Sequence, residues 1–241
     1  MFLAVISSLA VAATAPTAPT LWISHTAARV RVIPEARADV VATVTPGRPD
    51  APMPSLRRTA GGTVVDAGLP AMDWKPGWLG GMTCGGAQVQ VKGKTFRPQD
   101  LPLVTVHTPL NTIVIAEGAL YGEVGPSANL SLFASGCGAW RAAAVQRDLS
   151  ITTKDAVSVR AASLYGTLKI DKSGASEVIV DGGHAPNASI RASGSGNVAY
   201  HGDSGLLDLF MRDKANVRLG KVFGRTSGDL RTQGDLTYDR R

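Results

Sequence analysis

Aromatic residues make up only 5% of this 241-residue chain, cysteine occurs twice and histidine four times. With so few aromatics, a core must be aliphatic, built from Val, Leu and Ile as in strands buried against one another. Two isolated cysteines lack the paired spacing that a zinc site requires. No G-x-S-x-G elbow, H-E-x-x-H helix, Walker loop or G-G-x-G-x-D calcium repeat occurs, so no catalytic, cofactor or metal-binding residue is assigned. His25, His107, His184 and His201 are scattered. After residue 15 no run reaches the ~18 apolar residues that cross a bilayer, and no transmembrane span is predicted.

What is present begins with an uncharged apolar stretch, Met1 to Ala15, ending in small residues at Ala10-Val11-Ala12 and Ala13-Thr14-Ala15. It reads as a secretory signal peptide followed by a Pro/Thr/Ala spacer to Thr20, which places the mature protein in the periplasm or at the cell surface. In that oxidising setting Cys84 and Cys137, both in Gly-bracketed turns, are expected to form a disulfide. The net charge of +6 permits attraction to an anionic partner, a polysaccharide or another envelope component, without choosing one. Nucleic acid is not expected, because no basic stretch is interleaved with aromatics.

The dominant pattern is a repeat. Leu130/Leu132, Leu149/Ile151, Leu168/Ile170, Ala188/Ile190 and Leu207/Leu209 recur every 19 to 20 positions, with Val157/Val159, Val178/Val180, Val198/Tyr200 and Val217/Leu219 as a second series. A unit this short cannot bury its own apolar side and must lean on its neighbours, which predicts an all-β, parallel β-solenoid of two strands and two turns per coil. Leu168 and Ile170 then point in while Lys169 and Asp171 point out. Stacking aligns equivalent residues of successive coils. Two outward ladders follow: Arg160, Asp181 and His201, in which Asp181 is expected near His201 and favours its protonated form, and Asp171 beside Arg191.

Upstream, Arg29–Ile33, Val40–Val44, Thr63–Val65, Gln88–Val91 and Leu103–Val106 alternate as brief strands, with loop-like segments at Pro46–Arg58 and Leu69–Gly81. The expected organisation is a signal peptide at 1–15, an irregular β-rich region with long loops at 16–108 continuous with the solenoid, and the solenoid with a C-terminal cap at 109–241.

Within one coil sits Ser193-Gly194-Ser195-Gly196-Asn197-Val198-Ala199-Tyr200-His201-Gly202, whose glycines and Asn197 accept left-handed turns. Gly194 to Ala199 formally matches G-x-G-x-x-G/A, but Val198-Ala199-Tyr200 alternates as a strand where a dinucleotide site needs a helix. The S-G-S-G-N-V-x-Y-x-G turn, with Ser135–Trp140 and Ser173–Val178, resembles the repeat signature of the auto-transporter adhesin head GIN domain family over about Asn111 to Leu219. Val32–Val40 and Gly136–Trp140 are similar to exported proteobacterial members. The resemblance implies a right-handed β-solenoid of the cell envelope without a defined enzymatic activity. Arg212–Asn216 departs from it where glycines are expected, which predicts a wider turn.

Function is therefore expected to be non-enzymatic: an adhesion, scaffold or envelope-binding module presenting extended faces. The alternative is a carbohydrate-active β-helix enzyme on an anionic polysaccharide, with Asp171, Glu177 and Asp181 as candidate carboxylates.

Overall fold

The computed structural model describes residues 18–70, 82–85 and 88–238. The leader expected at residues 1–15, the part of the Leu69–Gly81 loop that carries Trp74 and Trp78, and the Asp239–Arg241 tail lie outside the described residues. In chain order the first strands are β1 (Thr20–Glu35), β2 (Val41–Thr45), β3 (Ser55–Thr59), β4 (Gly62–Asp66), β5 (Met82–Gly85), β6 (Gln88–Val91), β7 (Lys94–Phe96) and β8 (Leu103–Pro109). The repeat supplies β9 (Asn111–Val124), β10 (Asn129–Ala142), β11 (Leu149–Thr153), β12 (Ala156–Ala161), β13 (Leu164–Tyr165), β14 (Leu168–Lys172) and β15 (Glu177–Val180). It continues through β16 (Gly183–Ala192), β17 (Ser195–Tyr200), β18 (Asp203–Leu219), β19 (Thr226–Thr232) and β20 (Leu236–Tyr238). A single 3-10 turn, Pro98–Asp100, is the only helical element among the described residues.

These strands stack in parallel as a β-solenoid. On one side, here face A, Leu21, Val114, Leu132, Ile151, Ile170, Ile190 and Leu209 lie over one another in register, each at most 2% exposed. On face B the matching inward column is Val30, Gly122, Trp140, Val159, Val178, Val198 and Val217. Gly122 makes room for its neighbour, since a Cβ there would lie 2.1 Å from the Trp140 ring. β-Branched and Leu side chains fill such pleated, half-buried positions well, which is why the alternating pairs form strands.

The expectation of two strands per coil is corrected by a third, very short side. Val145 bridges Ser127 and Leu164, β13 pairs with Gly183 and His184, and Ser204 bridges Val222. One or two residues per coil are too few to produce an alternation in the sequence. The corner between faces A and B is turned by residues with left-handed backbones: Gly136 (φ 95°), Asp155 (φ 66°), Gly174 (φ 72°), Gly194 (φ 77°) and Asp213 (φ 59°). Asp tolerates that region because its short carboxylate finds a local partner. Asp155 accepts from the Gly136 N–H at 3.1 Å and Asp213 from the Gly194 N–H at 2.9 Å. At Arg212–Asn216, then, an aspartate adopts the backbone that glycine adopts elsewhere at this corner, and Ser195–Tyr200 pairs in unbroken register with Lys214–Leu219.

The order of layers departs from the order of the chain at the N-terminal end. β1 pairs with β9 on one edge and with β4 and β8 on the other, so the segment after Glu35 doubles back beyond β1 before β9 resumes the stack. β3 and β2 then add antiparallel to β4 and β8. Val65, Val104 and Val106 beneath them are fully buried. The five upstream runs read as strands overlap β1, β2, β4, β6 and β8, with Val40 just before β2, whereas β3 lies almost wholly in the segment read as loop.

A second apolar cluster sits outside the A–B corner. The antiparallel sheet β5–β6–β7 brings Met82, Val89, Val91 and Phe96 against Ala27, Ala119 and Cys137, together with Leu101. Cys84 and Cys137 form the anticipated disulfide, with Cα atoms 6.2 Å apart. At the other end of the chain, where a cap was expected, β19 and β20 pair in parallel with β18 and continue the stack.

Candidate anion-binding groove

The outward side of face B carries the charge that the inward side cannot. Strands alternate, so Arg29 and Arg31 point out of β1 while Val30 and Val32 point in, and Tyr121 and Glu123 do the same from β9. Register puts Leu103, Arg29, Tyr121 and Ala139 in one outward column and Thr105, Arg31, Glu123, Arg141 and Arg160 in the next. The Pro98–Asp100 turn lies alongside, carried by the disulfide-linked sheet and anchored through buried Leu101. Together Arg29, Arg31, Pro98, Leu103, Tyr121, Glu123, Ala139 and Arg141 line a groove of about 300 Å³.

Three guanidiniums face one carboxylate in this groove, leaving it cationic. The Arg29 Nε donates to the Leu101 carbonyl at 3.3 Å, which fixes one of them against the overhanging turn. Arg31 and Arg141 are exposed and make no ion pair with any described residue, and they stand two layers apart, roughly 10 Å at the usual strand spacing. Burial pushes the Tyr121 hydroxyl above the ordinary tyrosine range, so it remains a neutral donor. A planar, permanently charged fork suits carboxylate or phosphate oxygens. The arrangement can bind an extended anion.

The residues singled out from the sequence lie elsewhere on the same stack. Arg160 Nε and Asp181 Oδ2 are 2.7 Å apart, an exposed diagonal pair, because Arg160 itself is in register with Ile179. His201 follows Tyr200, which lies over Val180, and so stands one layer from Asp181, yet it makes no ion pair there. Asp171 and Arg191 are direct register partners, but the Arg191 guanidinium lies 5.2 Å from the centre of the Phe210 ring instead of closing on the carboxylate. Of the three carboxylates considered for glycoside cleavage, Asp171 projects from face A and Glu177 and Asp181 belong to the strand and turn of face B. They do not share a groove.

The Ser193–Asn197 turn has a structural role that the sequence reading missed. Lys172, completely buried, is the inward residue after Leu168 and Ile170, and its Nζ donates to the carbonyls of Gly174 and Ser193 at 3.0 Å each and to that of Ser195. Three donors meet three acceptors, so the ammonium is satisfied. Burial still pushes its pKa below the ordinary lysine value, with Asp213 opposing the shift. After Gly196 the chain is β17, where the dinucleotide fingerprint would need a helix. Asn197 belongs to a side-chain ladder, its Oδ1 accepting from Asn216 Nδ2 at 3.1 Å while Asn216 Oδ1 accepts from the Asp235 N–H.

The groove residues carried a sequence signal, the outward phase of Arg29-Val30-Arg31-Val32 and of Tyr121 and Glu123. Their convergence depends on pairings between β1, β9 and β10 that local pattern does not encode. No helix among the described residues is long and apolar enough to cross a membrane. Comparison with protein-family models, with curated proteins and with solved structures returns no match.

Proposed function

We propose that this chain is an exported, non-enzymatic β-solenoid of the bacterial cell envelope, of the kind its resemblance to the auto-transporter adhesin head GIN domain family implies, and that it acts as a binding module for an anionic glycan. The single observation that carries the reading is the outward column Arg31–Glu123–Arg141 in the groove beneath Pro98, with two guanidiniums that make no ion pair with any described residue. Acidic groups spaced along a polysaccharide would bridge those guanidiniums, and Tyr121 would donate to the same chain. The rigid parallel sheet holds the cations at a fixed repeat, which reduces the ordering cost of binding.

The test is affinity of the whole chain for immobilised polygalacturonate, with an uncharged polysaccharide as control. Binding that weakens with added salt, and weakens about tenfold or more when Arg31 and Arg141 are both changed to Ser, is the expected result. No binding at low salt, or equal binding by the double variant, would overturn the reading.

A further inference from the structure

The two outermost layers of the solenoid are finished differently. Beyond β4 and β8 the last strands, β2 and β3, run antiparallel. At the other end β19 and β20 run parallel to β18, are paired along one edge only among the described residues, and have no described residue over their inward side. Leu230, in register with fully buried Met211, is 54% exposed; Phe223 is 64% and Tyr238 45% exposed beside a hollow of about 690 Å³. An unpaired edge next to exposed apolar groups is a template for strand addition.

The pattern of β19 selects the strand that would add. Leu207 N–H donates to the Arg225 carbonyl and Gln233 N–H to the Asp213 carbonyl, so peptide groups of odd-numbered residues point at β18. Leu230, even-numbered, directs its N–H and C=O at the open edge. Its neighbours Asp229 and Arg231 lie on the outward side with opposite charges, at present paired with each other at 2.9 Å. A two-fold axis through Leu230 would set each Asp229 opposite the Arg231 of the other strand, in a non-hydrogen-bonded pair where side chains are closest. Leu230 would exchange two hydrogen bonds with its own counterpart. The strand is self-complementary in phase and in charge.

We infer that this protein forms a two-fold dimer by antiparallel pairing of β19 with β19 of a second copy, centred on Leu230. A head-to-tail arrangement is disfavoured, because the strand at the opposite end, β3, presents Arg57 and Arg58 with no acidic residue and offers Arg231 no partner. The inference is independent of the groove on face B.

Sedimentation velocity of the whole chain tests it. The expected result is a concentration-dependent species of twice the 25.0 kDa chain mass. Asp229→Arg and Arg231→Asp should each raise the dimer dissociation constant by about tenfold or more, by setting like charges opposite each other. A mixture of the two variants should recover a heterodimer, and the double variant D229R/R231D should dimerise as the native chain does. An unchanged far-ultraviolet spectrum establishes that each variant is folded. A monomer at every concentration, species growing beyond the dimer, or a dimer insensitive to Asp229→Arg would each overturn the inference.

Discussion

At its N-terminal end the solenoid is finished by a segment that passes β1, forms β4 and β8 beyond it and ends in two antiparallel strands; at the other end the last described layer, β19 and β20, is parallel. One layer in from either edge the inward residues are fully buried, Val65, Val104 and Val106 at one end and Met211 at the other, while the last layers expose theirs, Leu56 at 40% and Leu230 at 54%. A parallel stack satisfies every layer except the outermost, whose edge peptides and inward side chains have no further layer to meet. The ends differ in how the last layer is laid, antiparallel by a segment inserted after β1 at one end and parallel at the other. The same insertion carries the small disulfide-linked sheet and the Pro98–Asp100 turn that flanks the groove, so the antiparallel end and the candidate site are built by one segment.

The sharpest way to break the comparison is to make one substitution in an interior layer and in a last one. Leu21→Ala, fully buried two layers in, should cost about 2–5 kcal/mol, whereas Leu230→Ala should cost less than about 1 kcal/mol. Urea unfolding of the two variants at concentrations that keep the chain monomeric measures both, and equal losses would abolish the distinction between interior and last layers. A smaller effect is expected from opening the Cys84–Cys137 bond by changing both residues to Ala. Removing a loop closed over 53 positions should cost about 2–4 kcal/mol, and hydrogen exchange should quicken in β5–β7 while β16–β18 remain as they were.

The smallest effect concerns Lys172, midway along the stack. Its folded pKa lies below the ordinary value of 10.5, so between the lowered value and 10.5 the unfolded chain holds the proton more tightly than the native state. Stability contributed by this group therefore rises with pH across that window. Tyr200 acts in the opposite sense above pH 10.0, because its folded pKa is pushed up to about 12 by burial and by Asp203, and its contribution falls as pH rises toward that value. Comparison of native and Lys172→Met unfolding midpoints from neutral pH to pH 10 isolates the lysine: the native curve should climb relative to that of the variant.

The repeat was legible because each coil writes the same alternation. Leu130 and Leu132, Leu149 and Ile151, and their successors are all buried where their spacing placed them. The disulfide was expected from two cysteines in glycine-bracketed turns; the bond is present, but Cys84 lies in β5 and Cys137 in β10, beside the A–B corner. The place of β1 was not, because a strand that pairs with β4, β8 and β9 looks in sequence like a strand paired on either edge alone. Lys172 fits the inward phase of Leu168 and Ile170, but what makes it tolerable, three carbonyls from two different coils, is visible only once the coils are stacked. The groove was illegible for the same reason: Arg31 and Arg141 are neighbours through Glu123, far apart along the chain.

Hydrogen exchange of β1, followed by mass spectrometry on the whole chain, tests the central claim most directly, because among the described residues that strand pairs both with the doubled-back β4 and β8 and with β9 of the regular repeat. Its amides at Leu21 to Ile23 and Val30 to Val32 should exchange among the slowest in the protein, held between β4 and β8 on one edge and β9 on the other, while those of β19, at protein concentrations low enough to keep the chain monomeric, exchange among the fastest. Exchange of β1 as fast as that of monomeric β19 would contradict the stacking order on which both ends and the groove rest.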